Sequence, residues 1–351
     1  MTFADIQYFK IQNKIHSTPR RGNRKTMNTH NAWQVTIPFL QADVVDTPNT
    51  RSNSSEGKLD DYYQAMFVTF ASLARFNPDI QLNLASNHSL PVRYQDMYSA
   101  IRVHTQIVPF TRQVLAQEPR AFAASLYYLD VIRDLRGEQN IMLDPDVLCV
   151  DKLQFIEELS SRQLGGIQLN YDPARSVNGL SRAQASHLHT DLGLPPQLPD
   201  YYGGEIYVLP SAHLQKVSDY AETAWQYTLE QSEGQNPRFY TEEHIMNFVL
   251  AHFPVVNLKQ SIQRVWTTHR HRTVSGNESN LSLWHLPAEK GRGFRKTFTY
   301  ALNKDSWFWQ AERQDFVRNC ASIMGIDHRP LSRWIPDQLG VAANVLLGAK
   351  R

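Results

Sequence analysis

At 351 residues, with 42% hydrophobic and 20% charged residues, the chain has the make-up of a globular protein with a sizeable core. Its net charge of +2 gives no general case for a nucleic-acid or membrane-surface partner, and no stretch reaches the roughly 18 apolar residues of a membrane span. Two distant cysteines, Cys149 and Cys320, exclude a disulfide framework and a cysteine-based zinc site; with no secretory-type apolar run at the N-terminus, the expected location is the cytoplasm.

Residues 1–31 form the first segment. Lys10, Lys14, Arg20, Arg21, Arg24 and Lys25 face a single acid, Asp5, which predicts a solvated basic tail. Trp33 to Leu40 reads as a strand, and residues 47–58 as a polar loop. Residues 60–76 carry Tyr63, Met66, Phe67, Phe70, Leu73 and Ala74 at helical spacing, with Asn77-Pro78 as the stop. Strands are expected at 80–85 and 101–108, and a helix at 120–136 closed by Gly137. Two short apolar runs follow, 140–143 and 147–150, divided by Asp144-Pro145-Asp146. Strand–helix alternation of this kind predicts a mostly parallel sheet flanked by helices. In the second half, 165–169 and 201–209 read as strands, and 211–231 and 241–252 as helices. Residues 171–201 read as a long connection, more often functional than idle in a compact domain.

Asp144 and Asp146 carry the chemistry. Two carboxylates at i and i+2 of extended backbone point to one side. At the end of a buried strand they emerge at the sheet edge where open α/β folds bind ligands, and hard oxygen ligands there suit Mg²⁺ or Mn²⁺. Taken alone, the three residues read first as an Asp-Pro turn.

The context changes that reading. Met142-Leu143-Asp144-Pro145-Asp146-Val147, between an apolar strand and a second apolar run, resembles the metal-binding DXD region of GT-A glycosyltransferases. The nearest likeness is to the retaining branch that includes glycogenin and the lipopolysaccharide galactosyltransferases. Tyr202-Gly203-Gly204-Glu205 stands where that branch has a Gly-containing strand opening. Thr241 to Asn247, with Glu242 and Glu243, resembles its acidic helix start, which is equally a capped helix N-terminus. Trp284-His285, followed by Lys290-Gly291-Arg292-Gly293, resembles its metal-binding histidine and diphosphate segment.

The resemblance implies a Rossmann-like GT-A domain over residues 32–295; residues 296–351, which it does not cover, are expected to form a C-terminal helical extension. Trp307, Trp309 and Trp334 there would pack a cap or line an acceptor site. It implies Asp144, Asp146 and His285 as metal ligands. Gly203, Gly204, Asp144, Lys290 and Arg292 would bind the donor, and Glu205 and Glu243 are the acids nominated for catalysis. Lys290 is expected on a mobile glycine loop, acting on the diphosphate rather than on the ion. His269 and His271 are weaker ligand candidates. The implied cofactor is Mn²⁺ or Mg²⁺. The implied donor is a nucleotide diphosphate sugar, a UDP-sugar by family resemblance, and the acceptor a hydroxyl of a glycan, a lipid-linked sugar or a protein. The alternatives are a nucleotidyltransferase, against which the loop after Leu40 counts because it lacks a Gly-rich basic run, and a non-catalytic sugar- or partner-binding protein on the same scaffold. A third is a nucleic-acid-binding protein that uses the basic N-terminal arm.

Overall fold

The computed structural model describes residues 33–41, 55–112, 124–232, 237–268 and 271–327. The basic tail, much of the 47–58 loop, the expected helix start at 120–123, His269 and residues 328–351 with Trp334 lie outside the described residues.

The first strand expected from the pattern forms as Trp33–Phe39 (β1). It lies between Gln81–Ser86 (β2) and Gln139–Leu143 (β4), parallel to both, and β2 pairs in parallel with Val103–Ile107 (β3). Beyond β4 the sheet continues through Tyr202–Pro210 (β9), Leu164–Gln168 (β6) and Val255–Asn257 (β10). β9 runs antiparallel to both its neighbours, whereas β10 is parallel to β6. The main sheet is therefore the mostly parallel one that the alternation predicts.

Helices cover both faces, and strand periodicity decides which residue meets which layer. Ile141, Leu143, Ile206 and Val208 join one core cluster, with helix Ser55–Phe76 (α1) and Tyr98 of helix Val92–Ala100 (α2). Their sequence neighbours Met142, Tyr207 and Leu209 join the other. That second cluster lies under Tyr127–Asp134 (α3), Ser211–Gln231 (α6) and Glu242–Leu250 (α7). Every residue of β4 is buried, as expected for a parallel strand covered on both sides.

The last described helices pack against α1. Helices Arg295–Leu302 (α8), Trp307–Gln310 (α9) and Arg313–Met324 (α10) pack into the same cluster as α1. Phe67 lies edge-on to Phe298 at 5.3 Å between ring centroids, and Phe76 to Phe316 at 5.1 Å. The Arg75 guanidinium donates to the carbonyls of Phe308 and Ala311. Trp307 packs against Tyr300 and Phe316. Cys149 and Cys320 are buried free thiols, and no helix among the described residues is long and apolar enough to cross a membrane.

Three expectations need correction. The helix before the acidic pair ends at Asp134, because Leu135 is already extended, so Gly137 is no cap. A Cβ there would stand 2.7 Å from Asn140 Oδ1 and 2.9 Å from Gln34 Oε1, so a larger residue would have to displace both side chains. Residues 171–201 are not a plain connection: they hold the hairpin Ser176–Val177 (β7) and Leu180–Ser181 (β8), then helix Arg182–Asp191 (α5). The helix begins with a capping box, Ser181 and Gln184 bonding each other's backbone N–H groups. The expected mobile loop at Lys290 is a π-helical turn, Lys290–Phe294, running straight into α8. Phe294 is fully buried, Glu289 accepts from Gly293 N–H, and a Cβ on Gly291 would sit 2.8 Å from Asp61 Oδ2. Its glycines serve close packing rather than motion.

Candidate metal and donor site

The site forms where the main sheet meets a small one. Asp144 follows β4, and its N–H donates to the Glu205 carbonyl of β9 at 3.1 Å. Asp146 precedes Val147–Cys149 (β5), which pairs antiparallel with Leu283–His285 (β12), placing His285 opposite Val147. Parallel to β12 runs Ile262–Arg264 (β11), with Arg264 beside His285. Strand pairing thus carries His285 to the acidic pair across 139 residues of sequence.

His285 Nε2 lies 3.3 Å from Asp144 Oδ2 and 3.4 Å from Asp146 Oδ1. One donor atom from each of the three residues falls within 4.8 Å of the others. Two carboxylates and an imidazole fit Mn²⁺ or Mg²⁺ as a donor set. The Asp146 side chain is 1% exposed but that of Asp144 is 27% exposed, so one side of the cluster is open. Tyr128 donates to Asp144 Oδ1 at 2.6 Å and fixes that carboxylate.

Lys290 is buried and donates to Asp146 Oδ2, and its ammonium stands 5.4 Å from the Tyr62 ring centre. Arg292 is half-buried in the same turn. The lysine therefore touches a candidate metal ligand directly, which the sequence did not lead us to expect.

The electrostatics split the two aspartates. Burial pushes the Asp144 carboxyl up to about 6, with His285 partly offsetting it. Burial also opposes ionisation of Asp146, but Lys290 and His285 outweigh it and hold that carboxyl below the usual range. Burial alone would lower His285; Asp146 and Glu205 instead raise it to about 9.

Glu205, Glu242 and Glu243 surround this centre. Glu205 is fully buried against Arg264. Glu243 accepts from Tyr201 Oη and from Gly204 N–H at 3.1 Å. Gly203 and Gly204 are needed for close approach. A Cβ on Gly203 would stand 2.2 Å from Glu205 Oε2 and 2.9 Å from Arg264 Nη2; one on Gly204 would stand 2.6 Å from Glu242 Oε1. Because Arg264 pins Glu205, that carboxylate cannot swing aside. Gly203→Ala is therefore expected to cost about 1–3 kcal/mol, read as a lower melting temperature; an unchanged melt would mean the pair yields freely.

Glu242 was not nominated from sequence, yet it shares the site. Burial first, then Glu243, raises its carboxyl to about 8. The folded chain thus holds this proton more tightly than the unfolded chain. Between the unfolded value near 4.5 and about 8, folding takes up the proton, so this group's contribution to stability is full below pH 4.5 and lost as pH rises to 8. Glu242→Gln is expected to flatten that fall and to stabilise the chain at pH 8 by roughly 1–4 kcal/mol relative to its effect at pH 4.5. Denaturant melts of both proteins at the two pH values check it; parallel pH profiles would contradict it.

Other missed residues are Tyr128, Tyr62 and Arg264. None carried a local signal: each reaches the site through a partner distant in sequence. His271 lies beside the Trp266 ring, 5.9 Å between centroids.

No family model matches this chain, and no curated protein matches it. Among solved structures it is similar to the bifunctional glycosyltransferase WbbM in its apo form, at 12% identity and a TM-score of 0.47, over 82% of this chain and 52% of that one. The chain thus spans about half the length of WbbM. It is also similar to galactosyltransferase LgtC in complex with donor and acceptor sugar analogues, at 11% identity and a TM-score of 0.45, over 87% of this chain and 99% of that one. An active-site mutant of LgtC gives 12% identity, a TM-score of 0.45, and coverage of 85% and 97%. At such TM-scores the likeness supplies no residue correspondence, and the chemistry of the site rests on its own geometry.

Proposed function

We propose that this chain is a metal-dependent GT-A glycosyltransferase, moving a sugar from a nucleotide diphosphate sugar, a UDP-sugar, to an acceptor hydroxyl. The observation that carries the reading is the meeting of Asp144, Asp146 and His285 beside the buried Lys290, at the C-terminal end of a parallel strand. Ligands of open α/β sheets bind at such an edge.

Asp144, Asp146 and His285 would hold the ion. A divalent cation bound there supplies charge neutralisation for a diphosphate leaving group. Lys290 places a second positive charge at the same point, and Arg292 of the same turn adds to it. Tyr128 keeps Asp144 aimed at the ion. Glu242, protonated at neutral pH, can donate a hydrogen bond to a sugar hydroxyl. Glu243, fixed by Tyr201 and Gly204, is the acid placed to accept one.

Calorimetric titration with UDP, in Mn²⁺ and in EDTA, tests this reading. Binding that needs Mn²⁺ is expected. Equal binding in EDTA, or none in either condition, would overturn it.

A further inference from the structure

Backbone pairing brings a half-buried guanidinium and a buried carboxylate into line behind the candidate metal-binding imidazole. Arg264 and His285 are register partners on β11 and β12, so their side chains leave one face of the small sheet. Glu205 arrives from β9, whose next residue, Ile206, pairs with Leu143 just before Asp144.

Arg264 binds Glu205 through two parallel bonds, Nε to Oε1 at 3.0 Å and Nη2 to Oε2 at 2.5 Å. This is the fork geometry that holds a carboxylate in one orientation. The guanidinium is fixed in turn: Nη1 donates to Tyr171 Oη at 3.2 Å, and Nη2 also faces Glu243 Oε2 at 3.4 Å. On its other side Glu205 Oε1 stands 3.7 Å from His285 Nδ1. That nitrogen is buried and has no hydrogen-bond partner among the described residues, while Nε2 of the same ring faces both aspartates.

A buried nitrogen without a partner is costly unless something engages it. Glu205 is the polar group aimed at it. At 0% exposure, with both oxygens on Arg264, Glu205 has no route to an acceptor hydroxyl. Its geometry departs from the catalytic role for which the sequence nominates it.

The geometry points to an orienting relay, Arg264–Glu205–His285, in which Arg264 fixes Glu205 and Glu205 accepts from His285 Nδ1–H, presenting Nε2 to a divalent cation. The 3.7 Å separation is longer than a hydrogen bond, so the relay requires the ring to move toward Oε1 when an ion is bound. A carboxylate behind a metal-binding imidazole sets its tautomer and raises its basicity, and losing that carboxylate weakens metal binding by about 10- to 100-fold. Glu205 and Arg264 are thus positioning residues. The inference rests on the metal site of the proposed function, and deepens it.

The test is a Mn²⁺ titration, metal alone, of wild type, Glu205→Gln, Arg264→Met, Arg264→Lys and His285→Ala, together with Glu205→Gln and Arg264→Met in the His285→Ala background. Glu205→Gln and Arg264→Met are expected to weaken Mn²⁺ by about 10- to 100-fold. Arg264→Lys should lose less, keeping the charge without the fork. In the His285→Ala background neither change should weaken Mn²⁺ further, since the relay acts only through that ring. General damage to the fold would lower affinity in both backgrounds. If Arg264→Met does not fold, the isosteric Glu205→Gln pair carries the comparison. Unchanged affinity, or a full further loss in the His285→Ala background, would overturn the relay. Wild type that does not bind Mn²⁺ would overturn the relay and the metal site together. Mn²⁺ binding with the expected coupling, but without turnover of any sugar nucleotide, would leave the relay standing and sink the glycosyltransferase reading alone.

Discussion

Asp146→Asn is expected to lower glycosyl transfer by about a hundredfold or more, the equivalent of about 3 kcal/mol of transition-state stabilisation. Two effects of one charge combine. The carboxylate is a candidate ion ligand, and a neutral amide is a poorer partner for a divalent cation. It is also the buried partner of Lys290, with both groups nearly inaccessible to water. Removing one member of a buried ion pair strands the other, at about 3–5 kcal/mol when nothing replaces it. The amide oxygen can still accept from the ammonium, so the stability loss should fall at or below the lower end of that range. The stability contribution of Asp146 is present above the usual carboxylate range, because its folded value is depressed, and disappears in strong acid. The variant should therefore be less stable than wild type at pH 7 and converge with it as pH falls. Transfer assays and denaturant melts of the same preparation separate the two effects. A destabilised protein with wild-type turnover would leave the ion pair and remove the ligand role.

His285→Ala and Lys290→Ala are expected to move Mn²⁺ affinity in opposite directions. The first deletes a donor atom lying within 3.4 Å of both aspartates, and should weaken Mn²⁺ by about tenfold or more, in line with the loss of a ligand or its support. The second removes a positive charge that engages Asp146 directly. Lys290 and the ion share that carboxylate and repel each other. Unit charges a few ångströms apart interact by about 4 kcal/mol even at an effective dielectric constant near 20. Without the lysine, Mn²⁺ alone should bind more tightly, by about tenfold, even as transfer falls with the loss of charge at the diphosphate. Calorimetry with Mn²⁺ on both variants checks this. Weaker Mn²⁺ binding in Lys290→Ala would mean that the lysine supports the site rather than competing for it.

What could be read from the sequence was local. Asn140 to Val150 shows its buried strand, its acidic pair and its second apolar run within eleven consecutive residues. Alternation did the same for β2, and helical spacing for α1. Arg264 was invisible because its strand is three residues long and its partners, Glu205 and His285, lie 59 and 21 residues away. Glu242 stands at a helix start, and sequence could not show that burial beside a second acid raises its carboxyl. The Lys290 turn was misread because glycine marks both hinges and tight contacts. Here Asp61 and Phe294 make it a tight contact. The capping box of α5 was legible as Ser181-x-x-Gln184 and was passed over within a long polar stretch.

The most direct measurement is a panel of nucleotide diphosphate sugars incubated with the protein in Mn²⁺ and in EDTA, scored for release of the nucleoside diphosphate and for sugar transfer to added acceptors. The expected result is turnover of one donor, a UDP-sugar, that requires Mn²⁺ and is lost in Asp146→Asn. Turnover that is equal in EDTA, or no turnover of any donor by protein that binds Mn²⁺ and UDP, would contradict the account.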